Sequence, residues 1–301
     1  MAKYLVVILG PTGVGKTDLS ISLAQKYNTS IVSSDSRQIY KEMNIGTAVP
    51  EQEYLDKVKH YFIGELSIHD YYNSWEYEKQ AVAKIEELHK DKDVVLLVGG
   101  SMMYIDAVCK GIDDIPTISP ELRSEVLGRY EEEGLEPIKE ELKKLDPVFY
   151  EEVDLNNAKR VLHALEVCLM SGKPYSSLRT NEGKKRSFEI IKIGLNRDRA
   201  ELYNRINKRV DIMLNDGLEA EARELYPYKK LNSLNTVGYK ELYAYFDGEY
   251  DFEEAVRLIK RDSRRYAKRQ LSWFNRDEDI MWFNPDDEEK ILDTVDSIVK
   301  K

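Results

Sequence analysis

Eight residues near the amino terminus, Gly10-Pro11-Thr12-Gly13-Val14-Gly15-Lys16-Thr17, follow the order G-x-x-x-x-G-K-[ST]. Ordinary residue usage yields such a match by chance about 0.01 times in a chain this long, so the match is a signal. The chemistry it offers is phosphate binding. Its glycines let the backbone curl round an anion with N–H groups turned inward, at the positive end of a helix. Lys16 adds a mobile point charge, and the Thr17 hydroxyl can hold a Mg2+ ion that bridges phosphate oxygens. The alternative is an ordinary glycine-rich turn between strand and helix; the apolar strand running in and the helix running out favour the phosphate loop.

A phosphate loop names the ligand's phosphates and leaves the reaction open. A nucleotide-hydrolysing enzyme adds an acid at the end of a second strand, to hold Mg2+. Here the best candidate strand, Val94–Val98, runs into Gly99-Gly100-Ser101 with no acid. That disfavours a plain ATPase or GTPase. A small-molecule kinase using ATP, or a transferase whose leaving group is pyrophosphate, stays open. After the apolar run Ile31–Ser33 comes Ser34-Asp35-Ser36-Arg37-Gln38. Residues just past a parallel strand's carboxyl end line the ligand crevice. Asp35 is therefore either a reactive acid or the cap of a turn, and position alone leaves both open. Gln38 carries an amide suited to recognising adenine through two hydrogen bonds.

The elements that must hold these groups are legible in the hydrophobic pattern. Strands are expected at Tyr4–Leu9, Ile31–Ser33, Val94–Val98, Phe188–Leu195 and Ile280–Phe283, and the unbroken apolar runs of the first and third suit buried parallel strands. Helices are expected at Lys16–Tyr27, Trp75–Lys90, Asp198–Leu214, Tyr239–Phe246 and Phe252–Phe274. This alternation predicts an α/β fold, a parallel sheet flanked by helices as in P-loop NTPases. Between Ile115 and Thr180 strand signals vanish, and prolines punctuate helical stretches at Glu121–Glu133, Ile138–Leu145 and Ala158–Met170. The expected organisation is a core over 1–114, a helical insertion domain over 115–187 ending in the polar loop Asn181–Ser187, and the rest of the core over 188–301.

Composition narrows the functional classes. With 301 residues, 42% hydrophobic and 33% charged, the chain can build a large core and is not globally disordered. No run reaches the roughly 18 apolar residues of a membrane span. The amino-terminal apolar run ends in the phosphate loop and reads as a first strand, not a signal peptide. Cys109 and Cys168 stand alone, and His60, His69, His89 and His163 form no metal-binding spacing, so neither disulfides nor zinc are expected. A cytoplasmic, reducing setting fits. The net charge of −10 opposes indiscriminate nucleic-acid coating but permits one basic face. Residues 257–276 supply it, with eight basic side chains against the single acid Asp262. Tyr266, Trp273 and Phe274 interleave with them, and core packing is the expected role of the last two.

Taken together, several blocks resemble the tRNA dimethylallyltransferase (tRNA isopentenyltransferase) family of bacterial type. They are GPTGVGKT (10–17), SSDSRQIY (33–40), IGTAVP (45–50), LLVGGSMMY (96–104), ALEVCLMSGKP (164–174), DRAELYNRINKRVDIML (198–214), TVGYKEL (236–242) and AKRQLSWF (267–274). They occur in the family's order and span nearly the whole chain. The resemblance implies transfer of a dimethylallyl group from dimethylallyl diphosphate to N6 of the adenosine 3′ to the tRNA anticodon, with Mg2+ as cofactor. It implies that the phosphate loop, Gly10 to Thr17, holds the donor's diphosphate, which accounts for the missing acid. Asp35 becomes the base that takes an N6 proton, and Thr12 lies near the reacting carbon or the departing oxygen. An arginine of the 198–214 helix meets the diphosphate; Arg205 is preferred and Arg209, one turn on, is the alternative.

The same resemblance places tRNA against Asp35, Ser36, Arg37, Gln38, Ser101, Arg123, Lys159, Arg160, His163, Thr236, Gly238, Tyr239 and Lys240. The family has threonine where Ser101 stands, which keeps the hydroxyl, and arginine where His163 stands, which weakens a phosphate contact. The basic helix, through Arg264, Arg265 and Lys268, is expected to meet tRNA phosphates. A monomer is expected. The rivals are the ATP-using kinase, a prenyltransferase acting on free adenine nucleotides, and an RNA-binding module without catalysis. The last leaves Thr12, Lys16, Thr17 and Asp35 unexplained together.

Overall fold

The computed structural model describes residues 2–180 and 182–300; of the expected polar loop at 181–187, Asn181 lies outside the described residues. Six strands form one sheet: β1 (Tyr4–Leu9), β2 (Ile31–Ser33), β3 (His60–Tyr61), β4 (Val94–Gly99), β5 (Glu189–Leu195) and β6 (Ile280–Phe283). Their order is β3-β2-β4-β1-β5-β6, and every pairing is parallel. All six residues of β1 are buried, as expected for a central strand covered on both faces. Leu5, Val7 and Leu9 pack on one side with Tyr77, Tyr104, Leu242 and Ile259. Tyr4, Val6 and Ile8 pack on the other with Leu19, Leu23, Leu202 and Ala267.

Register aligns the strand ends that matter. Leu9 lies beside Gly99 of β4 and Gly194 of β5, while Ser33 of β2 lies beside Val98. The phosphate loop, the Ser34–Asp35 turn and the Gly99–Gly100 turn therefore leave the sheet at one carboxyl edge, where ligands of such sheets bind. β3 escaped the sequence pattern because two residues carry no periodicity. Phe274 is buried as expected; Trp273 is only partly buried and donates from Nε1 to Asp106 Oδ2 at 2.8 Å.

The chain divides into two compact units, Met1–Cys109 with Lys185–Lys301, and Lys110–Lys184. The second unit is all helix, built round Val126, Ile138, Leu142, Phe149, Val161 and Leu165. Its limits differ from the expected 115–187 because the incoming and outgoing segments pair with each other. Lys184 N donates to Lys110 O at 2.8 Å, and Asp113 Oδ1 accepts from Thr180 N and Oγ1 at 3.1 and 2.7 Å. Pro137 does not delimit a helix. It sits in the first turn of Leu135–Leu145, where backbone N–H groups have no helical partner to lose.

In the first unit, Arg186 clamps the last turn of the Met102–Lys110 helix. Its Nε donates to Val108 O at 2.8 Å, and its NH2 donates to Ala107 O at 2.7 Å and to Glu78 Oε1 at 2.8 Å. Both ionic side chains are under 10% exposed. Removing one partner of such a pair strands the other's charge, so Glu78→Ala is expected to cost about 3–5 kcal/mol. Urea denaturation checks this: the midpoint should fall at constant slope, and an unmoved midpoint would refute the role given to the pair.

Candidate active site

The phosphate loop departs from β1 and enters the Lys16–Lys26 helix through Gly15, whose φ of 106° suits glycine. No side chain caps that helix, which leaves its first amides for an anion. Lys16 Nζ folds back onto the loop, donating to Gly10 O at 3.0 Å and Pro11 O at 2.9 Å. Burial, reinforced by the nearby Arg209 charge and opposed by Asp35, pushes its pKa down to about 8. Arg205 Nε donates to Gly13 O at 3.0 Å, and Arg209 NH1 donates to Thr12 Oγ1 at 3.3 Å. Burial also lowers the Arg209 pKa, with Asp35 again opposing. No ion pair neutralises Lys16 or Arg209 among the described residues.

Two cavities of about 340 and 490 Å3 meet here. The larger holds Gly13, Gly15, Lys16, Thr17 and Arg205; the smaller is lined by Ser36, Arg37, Thr236, Gly238 and Lys240 with apolar Ile206, Val210 and Met213. Thr12, Asp35, Thr47, Arg209 and Tyr266 line both and form the seam between them. Arg205 is exposed and lines the larger cavity alone, so both candidate arginines border the phosphate-loop cavity and Arg209 also borders the smaller one. One helical turn carries Arg209, not Arg205, to the seam.

Asp35 caps its turn and lines the seam. Its Oδ1 accepts from Arg37 N at 2.8 Å and Gln38 N at 3.2 Å, capping the turn, and Oδ2 has no hydrogen-bond partner among the described residues. The turn thus fixes the carboxylate at the seam while one oxygen stays available.

Other expected contact residues divide. Gln38 does not present its amide nitrogen to a base: Nε2 donates to Thr47 O at 3.1 Å and Ala48 O at 2.9 Å. Arg37 NH1 donates to the carbonyls of Asn232 and Ser233 at 3.0 and 2.9 Å. Ser101 is buried at the start of the Met102–Lys110 helix and lines neither cavity. Tyr239 is fully buried, so direct tRNA contact there is corrected: its ring faces the core and its hydroxyl donates to Glu221. On the basic helix, Arg264 NH1 is tied to Asn207 Oδ1 at 2.6 Å, whereas Arg265 and Lys268 are exposed. In the helical unit, Lys159, Arg160 and His163 are exposed; Arg123 Nε and His163 Nδ1 each stand 3.7 Å from the Glu166 carboxylate.

Sequence reasoning missed two supports. Gln270, buried, accepts from Thr12 N at 2.9 Å and donates to Gly100 O at 2.7 Å, locking the loop to the turn after β4. Its spacing from buried Ala267 and Phe274 marks it as a polar residue on an apolar stripe, which is a readable signal. Arg197 Nε donates to Val14 O at 2.9 Å while its guanidinium pairs with Asp286 and Glu201. No cluster of three or more His, Cys, Asp or Glu side chains is placed for a metal among the described residues, and no helix there is long and apolar enough to cross a membrane.

Fold and site together define a phosphate-loop α/β protein in which β4 ends in Gly99 and runs on into Gly100 with no acid. The family model described as IPP transferase matches residues 38–277. The chain is 56% identical over 298 residues to tRNA dimethylallyltransferase 1 of Phocaeicola vulgatus, covering 99% of each. It is 59% identical over 288 residues to tRNA dimethylallyltransferase 2 of Parabacteroides distasonis, covering 96% of each. Among solved structures, a eukaryotic dimethylallyltransferase caught acting on tRNA is 26% identical with a TM-score of 0.83, covering all of this chain and 80% of that one. The chain belongs to the IPP transferase family.

The lowered Lys16 pKa has a testable sign. Lys16 is charged below about 8 and neutral above it, and an anion favours the charged form. Inorganic pyrophosphate affinity should therefore fall as pH rises from 7 to 9, more steeply in the wild type than in Lys16→Met. Calorimetric titrations across that range check it; parallel profiles would remove Lys16 from the anion site.

Proposed function

We propose that this protein transfers the dimethylallyl group of dimethylallyl diphosphate to N6 of the adenosine 3′-adjacent to the anticodon in tRNA, releasing pyrophosphate. The observation that carries this reading is the pairing of two desolvated cations, Lys16 and Arg209, with a fixed carboxylate, Asp35, across one seam. The cations call for a polyanion in the larger cavity, and the carboxylate for a proton to remove from whatever enters the smaller one.

The chemistry follows from these positions. The adenine amine is a weak nucleophile because its lone pair is delocalised into the ring. As the N6–C1 bond forms, Asp35 takes the N6 proton, a contribution of about 10² to 10⁴ in rate. As the C1–O bond breaks, its electron pair leaves with pyrophosphate, whose charge is met by Lys16, Arg209 and the loop amides. Thr12, held by Gln270 and facing Arg209, borders the reacting carbon. Thr17, which lines the larger cavity, would offer its hydroxyl to a Mg2+ ion bound with the diphosphate. Bound there, Mg2+ supplies further charge neutralisation to the diphosphate.

The target base must leave its stack to reach the seam. Arg37, Thr236, Gly238 and Lys240 border the cavity it enters, while Arg265 and Lys268 offer exposed charge to phosphates. One chain carries both cavities entire, so a monomer suffices. The relatives at 56% and 59% identity, both tRNA dimethylallyltransferases, speak against the kinase reading.

The deciding experiment incubates the protein with dimethylallyl diphosphate and either unmodified tRNA or AMP, and reads products by nucleoside mass spectrometry. Prenylated adenosine is expected from tRNA only, with no ATP consumed; product from AMP alone would assign the free-nucleotide reaction. In the same assay Asp35→Ala should lower kcat by at least about 10²-fold while tRNA affinity stays near that of the wild type. A variant retaining more than about a tenth of wild-type kcat would show that Asp35 is not the base.

A further inference from the structure

Glu221, on the Leu218–Leu225 helix, touches neither cavity, yet its carboxylate accepts four hydrogen bonds. Oε2 accepts from Asn44 N at 2.9 Å and Ile45 N at 2.8 Å; Oε1 accepts from Gly46 N at 2.9 Å and the Tyr239 hydroxyl at 2.6 Å. Three successive amides on one carboxylate fix the curl of the segment that leads directly into Thr47 at the seam. Gln38 holds that segment from the far side through the Thr47 and Ala48 carbonyls, and Ala48 is kept at a φ of 50°, which a side-chain-bearing residue adopts only under constraint.

The fourth bond reaches a different wall. Tyr239 opens the Tyr239–Phe246 helix, and its neighbours Thr236, Gly238 and Lys240 line the smaller cavity. Its ring lies so close to Gly46 that an added Cβ would stand 2.6 Å from the ring carbons. Burial and the adjacent Glu221 charge raise the Tyr239 phenol, so it stays a donor. The two faces that border the smaller cavity, the 44–48 segment and the 236–240 segment, are thereby joined through one side chain.

We infer that Glu221 is a positioning residue for the acceptor: it sets the distance between these two walls and so aims the adenine amine at the seam. The inference rests on the reading of the reaction given above. Four donors match the four lone-pair sites of a carboxylate. An amide in its place turns an NH2 group toward backbone N–H donors, so Glu221→Gln keeps the volume and breaks the frame.

The test uses the full-length enzyme, Glu221→Gln and Tyr239→Phe, with three readouts: inorganic pyrophosphate affinity, kcat and KM for tRNA, and thermal stability. Misaiming a reactant by about 1 Å costs about 10²-fold, so Glu221→Gln should lose about that much kcat with pyrophosphate affinity unchanged and KM little moved. Tyr239→Phe, which removes one hydrogen bond and retains the ring, should lose kcat by about 3–10-fold in the same pattern. Unchanged kcat in either variant, or pyrophosphate affinity and kcat falling together, would overturn the assignment. If Glu221→Gln fails to fold, Tyr239→Phe alone decides. Absence of transfer by the wild-type enzyme would overturn the reading of the reaction instead, and the assignment with it.

Discussion

Lys16 and Arg209 stand half-buried in one cavity, where burial lowers the pKa of each, and no carboxylate neutralises them at hydrogen-bond distance among the described residues. Desolvating a cation costs several kcal/mol even after relaxation, so two together are tolerated only where the fold holds them and a ligand supplies the counter-charge. Much of the surrounding structure answers to that constraint. Arg197 and Arg205 occupy the Val14 and Gly13 carbonyls, and Gln270 ties Thr12 to the turn after β4. Among the described residues Asp35 is the acid whose charge acts on both cations, yet its own geometry is set by backbone amides and not by them. It is thereby held at the seam, where the proposed reaction gives it the part of base.

The parallel sheet explains why this arrangement sits where it does. β1, β2 and β4 deliver the loop, Asp35 and the Gly99–Gly100 turn to the same edge, in register. An acid past β4 would put a further carboxylate beside the phosphate loop. Gly100 stands there instead, and its carbonyl receives Gln270. A site that meets a polyanion with cations and amides, and keeps its carboxylate for the acceptor, suits departure of pyrophosphate better than hydrolysis of a nucleotide.

How far the site was legible follows from what each signal encodes. The loop glycines, Lys16 and Thr17 announce themselves because backbone conformation and phosphate chemistry restrict residue type at fixed spacing. The strands β1, β2 and β6 begin and end where their apolar runs do. Depth is another matter. Arg205 and Arg209 share a helix face, and nothing in their spacing shows that only the latter reaches the seam. Tyr239 lies in a block for which the family resemblance implies tRNA contact, but whether an aromatic ring turns to ligand or to core is settled by tertiary packing. Arg264, Arg265 and Lys268 read alike as a basic row, and the fold commits the first to Asn207. Gln270 and Glu221 left a fainter mark, each a polar residue beside the buried stripe of its helix.

In the proposed reaction the donor's diphosphate is the missing counter-charge of Lys16 and Arg209, and its reacting carbon meets Asp35. A crystal structure of the complex with an unreactive thiolo analogue of dimethylallyl diphosphate tests it most directly. Phosphate oxygens are expected within hydrogen-bond reach of Lys16 Nζ and the Arg209 guanidinium, and the first carbon of the chain between Thr12 and Asp35. A diphosphate seated away from both cations, or a first carbon out of reach of Asp35, would contradict it.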